Sequence, residues 1–258
     1  MEKRCVLICV FALVLNGCGG GGVATSNTSA GANTGSQSTV GQAQGVYSGN
    51  SSAGSYFESI VLPSDMVYAL YGTLSNNTFL VSGMITGQGT SNNGTYSAQV
   101  KDFFLTSAGV SGSLSGTYVA GSSFNGTLTE SGSGTVSFTG APLSSASYNY
   151  NMAAQVSTIV GSWNGDLLDG TSATVTVNSD GSFAGTNLGC LFSGTVVADS
   201  SEKNFFDVTI RFGGSPCVLA NQSASGIGVS YLLPNGATRQ LIFAGTAGSF
   251  GTVFIAAK

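Results

Sequence analysis

The chain has no histidine, one tryptophan, four prolines and charged side chains at only 7% of its 258 positions. Without histidine it lacks the commonest general base and the commonest metal ligand. A charged fraction far below the roughly 25% of ordinary domains leaves little from which to build a basic face for nucleic acid. Lys101, Lys203, Arg211, Arg239 and Lys258 are scattered, and loss of Glu2, Lys3 and Arg4 with an N-terminal leader would leave ten acidic and five basic side chains. That balance disfavours nucleic acid and anionic lipid headgroups alike. A transmembrane helix is also excluded: a span needs about 20 apolar residues, and the run from Cys5 to Leu15 turns polar at Asn16.

What is abundant is glycine, at 39 positions, together with Ser, Thr and Asn, while 42% of residues are apolar. Low charge with that much apolar content is not the composition of a disordered chain. It suits a β-rich exported protein whose surface is hydrated by hydroxyls and amides.

The N-terminus follows the order of a secretory signal: basic Lys3 and Arg4, an apolar run, then small residues. Leu15, Asn16, Gly17 and Cys18 resemble the lipobox of bacterial lipoproteins, with Asn16 standing where a small or apolar residue is usual. The resemblance implies that residues 1–17 are a lipoprotein signal peptide and that Cys18 is diacylated and becomes the new N-terminus. The implied partner is a membrane, reached through a covalent lipid, since two or three acyl chains anchor stably where one does not. Gly19, in place of the aspartate that retains such proteins at the inner membrane, implies the outer membrane. An ordinary secretory signal with an incidental cysteine is the alternative. Residues 18–44 read as the lipidated cysteine and a flexible tether, with too few apolar side chains to offset the entropy of ordering. As a Gly/Ser coil such a tether spans about 25–30 Å.

Of the five cysteines, Cys5 and Cys9 would leave with the leader and Cys18 would carry lipid, so Cys190 and Cys217 remain. In an oxidising compartment this pair is expected as a disulfide. A reactive or metal-binding pair would want a basic neighbour or a histidine.

Beyond the tether the pattern has period two, in short runs broken by turn residues about every ten positions, which predicts antiparallel hairpins. Eight strands are expected near 45–50, 55–62, 66–74, 77–87, 93–101, 110–119, 122–130 and 134–140. A further eight are expected near 160–168, 172–179, 181–187, 190–198, 204–213, 226–233, 238–246 and 250–257. Asn76 with Asn77, Asn93 with Gly94, Asp169 with Gly170, Asp180 with Gly181 and Asn235 with Gly236 supply hairpin turns that tolerate positive φ. Residues 142–159 form a connector, with Asn151 to Ile159 as its helical turn or two.

The two sets match at a constant offset of 116: Gly45, Tyr47, Gly49 and Gly54 align with Gly161, Trp163, Gly165 and Gly170. An internal duplication of this kind decides the fold. The expected architecture is all-β: two tandem, small, eight-stranded, antiparallel up-and-down barrels, over residues 45–141 and 160–258, joined by a short helical connector. Closure removes exposed strand edges. A β-solenoid is the rival, suggested by recurring Gly–Thr–apolar triplets, but its period should be fixed and here it is not. An outer-membrane barrel lacks its aromatic girdles.

Gly161, Ser162 and Trp163 resemble the Gly-x-Trp of lipocalins and their calycin relatives. The resemblance implies that Trp163 closes the barrel floor and stacks on a basic side chain from a late strand. Arg239, on one face with Leu241 and Phe243, is the candidate for that pairing. Strands of six to ten residues predict interiors that side chains fill, with Phe206, Val208, Ile210 and Phe212 as core. A carrier of a small apolar ligand is the alternative to an envelope or surface binding module with a protein partner.

For catalysis, Asp166 and Asp169 have the residue type of a glycosidase pair, but Asp169 precedes Gly170 in a turn, and Asp180 and Asp199 are better explained as turn or loop residues. No Asp-rich repeat spaced for calcium occurs, and the sequons at Asn50, Asn93 and Asn125 mark nothing but turns in a bacterial lipoprotein. The expectation is therefore a non-enzymatic protein without metal or cofactor.

Overall fold

Residues 95–102 alternate strictly, with Tyr96, Ala98, Val100 and Asp102 buried and Thr95, Ser97, Gln99 and Lys101 exposed. Period two of this kind is a strand with one wet face, and it recurs along most of the chain. In a computed structural model that describes residues 42–258, apart from 76–77, 105–106 and 144–147, these runs form two closed barrels. The lipobox, Cys18 and the Asn76–Asn77 turn lie outside the described residues.

Barrel 1 comprises β1 (Gly45–Ser51), β2 (Tyr56–Val61), β3 (Met66–Ser75), β4 (Thr78–Asn92), β5 (Thr95–Phe103), β6 (Val110–Val119), β7 (Ser123–Glu130) and β8 (Gly134–Pro142). Barrel 2 comprises β9 (Gly161–Leu167), β10 (Ser172–Val177), β11 (Ser182–Asn187), β12 (Cys190–Ala198), β13 (Phe206–Phe212), β14 (Ser223–Leu232), β15 (Arg239–Ala247) and β16 (Phe250–Ala257). Each strand pairs antiparallel with its neighbours in sequence, and each barrel closes first strand on last. Tyr47–Ser51 lies against Phe138–Pro142, and Gly165–Leu167 lies against Phe254–Ala256.

The duplication extends into the geometry. Gly45 pairs with Val61 and Gly161 with Val177, so the first hairpin of each barrel keeps the offset of 116 along both arms. At the closing seam a Cβ on Gly49 would stand 1.9 Å from the Thr139 carbonyl oxygen, and one on Gly165 would stand 2.2 Å from that of Ile255. Those two matched glycines let the last strand approach the first. Among the turns, Asn93 and Gly94 both carry positive φ, as a type I′ hairpin requires. At the Asp169, Asp180 and Asn235 turns only the following glycine does, while the Asp or Asn side chain accepts backbone N–H groups one turn on.

Among the described residues the connector carries one 3₁₀ turn, Val156–Thr158, within the stretch expected to be helical. Ala154 and Ile159 are buried in the core of barrel 2, and Tyr150 spans the barrels, donating to the Val61 carbonyl (3.2 Å) while its own carbonyl accepts Asn204 N–H (3.0 Å). Residues 42–44 differ from the flexible segment expected of them. Ala43 is fully buried, and Gln42 accepts from the Tyr118 hydroxyl at 2.9 Å, so residues 42–44 belong to barrel 1.

The barrels pack side by side. Ile60, Tyr68, Leu70 and Met84 on the outer face of β2–β4 meet Ile227, Val229, Ile242 and Val253 on the outer face of β14–β16 in one apolar seam. Strands β3 and β15 are accordingly buried on both faces over their middle residues. Glu58 lies in this seam and accepts from the hydroxyls of Tyr56 (3.1 Å) and Tyr231. Burial raises its carboxyl above the usual range. At one end of the seam Ala108 bridges to Phe250, and Gly109 N–H donates to Ser249 (2.9 Å). At the other lie Val61, Tyr150 and Asn204. The turns at Ala108 and at Ser249 belong to the same end of their respective barrels, so the two barrels point the same way.

Candidate functional site

Each barrel has a plugged floor and an opposite end that is not plugged. In barrel 1 the floor is aromatic. Tyr47, fully buried, donates to the Ala43 carbonyl (3.0 Å), Tyr96 donates to that of Asp65 (2.7 Å), and Phe124 packs on both rings. In barrel 2 the equivalent residue is Trp163, whose Nε1 donates to the Ile159 carbonyl at 2.7 Å. Ala43 and Ile159 are again 116 apart. The aromatic that closes each floor therefore ties itself to the carbonyl four residues upstream.

The cation over Trp163 is Lys258, with Nζ 3.9 Å from the ring centroid, and not Arg239. Arg239 does share the face of Leu241 and Phe243, but its Nη1 is directed at Ser230 Oγ, 3.4 Å away. The backbones of Arg239 and Lys258 are hydrogen-bonded to each other (2.7 and 3.0 Å). Two basic side chains thus reach the same end of barrel 2 from adjacent strands, and the one on the strand next to Trp163 takes the ring. Desolvation there lowers the Lys258 ammonium below its ordinary value.

Cys190 and Cys217 are bonded to each other, with Cα atoms 4.5 Å apart. The bond clips the loop before β14 across the unplugged end of barrel 2. Inside lies a cavity of about 170 Å³ walled by Val175, Phe183, Phe192, Phe243 and Phe254.

The larger cavity, about 240 Å³, is in barrel 1. Its walls are Phe57, Val67, Ala69, Ile85, Leu114 and Phe124 among others, and its rim carries Ser51, Ala53 and Ser55 from the β1–β2 turn. The filled interior expected from strand length is therefore corrected for barrel 1, where the β1–β2 turn brings only the small side chains of Ser51, Ala53 and Ser55 to the rim and leaves the space beneath open. Phe206 and Val208 are buried core in barrel 2, as their alternation predicts.

Three polar side chains converge where the barrel 1 cavity opens. Tyr71 comes from β3, Asp102 from β5 and Glu130 from β7. Tyr71 donates to the Asp102 carboxylate, with oxygens at 3.0 and 2.9 Å. Asp102 is only 5% exposed. Burial first, and then the neighbouring Glu130, raise its carboxyl to about 7. Burial beside that carboxyl also raises the Tyr71 phenol. No basic residue lines the cavity. This constellation was not found from sequence. The signal available was Asp102 standing where the Tyr96, Ala98, Val100 alternation calls for an apolar residue.

Of the carboxylates weighed for catalysis, Asp169, Asp180 and Asp199 occupy turns and Asp166 lies on β9. Asp169 accepts from Thr171 N–H (3.0 Å) and Oγ1 (2.6 Å), Asp180 from Ser182 N–H (2.9 Å) and Oγ (2.7 Å), and Asp199 from Ser201 N–H (2.8 Å). Asp166 accepts from Ser172 Oγ at 3.1 Å. Among the described residues no three His, Cys, Asp or Glu side chains cluster as a metal site would need.

No protein-family model matches the chain, and no curated protein does. Two solved structures align over most of it. One is a candidate outer membrane protein of Bacteroides fragilis, at 13% identity over 86% of this chain and 98% of that one, with a TM-score of 0.25. The other is a protein of unknown function from Nostoc punctiforme, at 12% identity over 84% and 95% respectively, also with a TM-score of 0.25. Superpositions of that quality carry nothing about ligand or role.

Proposed function

We propose that the protein is a non-enzymatic, lipid-anchored envelope protein of the outer membrane that holds a small, largely apolar molecule inside barrel 1. The observation that carries this is the cavity of about 240 Å³, apolar along its walls and closed at the aromatic floor. Small-molecule sites are concave and mostly apolar, with a few convergent polar groups that fix orientation. Tyr71, Asp102 and Glu130 are such groups. The volume lies below the roughly 300–1,000 Å³ of drug-sized sites, which limits the ligand to a small one.

The anchor rests on Lys3, Arg4, the apolar run to Leu15, and Cys18. The disulfide Cys190–Cys217 fits an oxidising exported compartment. The test is native mass spectrometry with organic extraction on the full chain purified from its own envelope. A stoichiometric small molecule released on extraction supports the reading. Its absence, with no uptake of added apolar probes, overturns it and returns the question to a protein partner on the outer surface.

A further inference from the structure

We infer that the ligand of barrel 1 is an amphiphile with an ammonium-type cation, its apolar body within the barrel and its cation at the mouth against Asp102 and Glu130. This rests on the reading of the cavity as a ligand site and names the chemistry that site would select.

Two independent features converge on it. The first is the cavity, whose walls demand an apolar body. The second is a carboxyl buried to 5% exposure at its opening with no counter-charge among the lining residues. Burying a carboxylate without a cation costs several kcal/mol, and an apolar side chain at this position would continue the barrel core. The Tyr71 phenol donates to Asp102, while the other side-chain partner of Asp102 is a second carboxyl, Glu130, which opposes its ionisation. Lys101 is adjacent in sequence but points to the exposed outer face of β5, so the site has no internal cation to borrow.

Other ligand chemistries fit less well. An anionic head would face two carboxyls. Calcium and magnesium want six or more oxygens, which two carboxyls and a phenol on an apolar wall do not provide, and zinc wants three or four ligands where among the described residues no three His, Cys, Asp or Glu side chains cluster. A neutral alcohol would leave one carboxyl beside the other, each opposing the other's ionisation. A monovalent cation relieves that opposition and gains charge-assisted hydrogen bonds. The cavity of about 240 Å³ is smaller than a drug-sized site, which suits a probe with a single short alkyl chain.

The probes are octylammonium, octanol and octanoate, titrated into the full chain by calorimetry at pH 8 and pH 6. The titratable groups facing the cavity are Tyr71, Asp102 and Glu130. Octylammonium is expected to bind at least about tenfold more tightly than octanol at pH 8, with octanoate weakest, and to lose much of that advantage at pH 6 as the carboxyl pair takes up a proton. In Asp102→Asn the ratio of octylammonium to octanol affinity falls to about one; in Glu130→Gln the ratio falls part of the way. Circular dichroism checks that both variants fold.

Equal binding of octylammonium and octanol, unaffected by Asp102→Asn, overturns the cationic assignment and leaves the cavity reading intact. Octylammonium binding that survives Leu128→Trp, which fills the barrel, marks adsorption to an acidic surface and overturns the assignment as well. Failure of all three probes to bind overturns the cavity reading and this one with it.

Discussion

Replacing Asp102 by Asn should make the protein more stable at neutral pH, by an amount set by how far burial opposes ionisation. The carboxyl is raised from its ordinary 3.8 to about 7, first by burial and then by Glu130. At about 1.4 kcal/mol per pH unit, the folded state holds the Asp102 proton more tightly than the unfolded chain by about 4 kcal/mol. Below about pH 4 the group is protonated in both states, and wild type and variant should be similar. Between about pH 4 and pH 7 the unfolded chain has lost the proton and the folded chain has not, so wild-type stability falls as pH rises. Above pH 7 that loss is complete. The value of about 7 already includes the lowering by the Tyr71 bond to the charged carboxylate, so nothing further is subtracted and the variant should lead by about 4 kcal/mol at pH 8. Urea denaturation of both proteins from pH 4 to pH 8 gives the difference directly, and titrating groups remote from Asp102 and Glu130 cancel in it. A gap that is the same at pH 4 and pH 8, or a wild type more stable at pH 8, would refute the assignment of a buried, uncompensated carboxyl.

Gly49→Ala and Gly165→Ala each force a Cβ into a carbonyl oxygen at the closing seam; denaturation midpoints should show losses of about 1–3 kcal/mol or more, comparable in the two barrels because the positions are equivalent. Lys258→Ala should shift Trp163 fluorescence and cost about 0.5–1 kcal/mol, whereas Arg239→Ala should leave the emission nearly unchanged. Trp163→Phe strands the Ile159 carbonyl and should cost about 1–3 kcal/mol from that loss alone, read by thermal melting. Reducing Cys190–Cys217, 27 residues apart, should lower stability by about 3.5 kcal/mol on the chain-entropy estimate, and a Cys190→Ser, Cys217→Ser protein should reproduce the reduced form.

The strands were legible because each barrel wall has one wet face, and a period of two states that directly. The duplication was legible from four glycine and aromatic positions because the first hairpin carries no insertion in either copy. The seam was harder. Val67, Tyr68, Ala69 and Leu70, like Leu241, Ile242, Phe243 and Ala244, are continuous apolar runs, and such runs mark strands buried on both faces. They identify a strand with a second partner without naming that partner. Lys258 was missed because the same-face rule correctly put Arg239 inward but does not choose between two basic side chains on adjacent strands. The mouth of barrel 1 could not be assembled at all. Tyr71, Asp102 and Glu130 sit on alternate strands, β3, β5 and β7, and only closure of the cylinder brings them together.

The side-by-side packing bears on how a ligand would arrive. The chain enters barrel 1 at Gln42, at the floor, where Tyr118 and Ser91 hold it. The cavity opens at the other end, past Ser51 and Glu130. Barrel 2 is oriented the same way, since Ala108 beside one mouth pairs with Phe250 beside the other. Gln42 and both unplugged ends are therefore at opposite ends of the packed pair, so a ligand of barrel 1 would enter past Glu130, at the end away from Gln42.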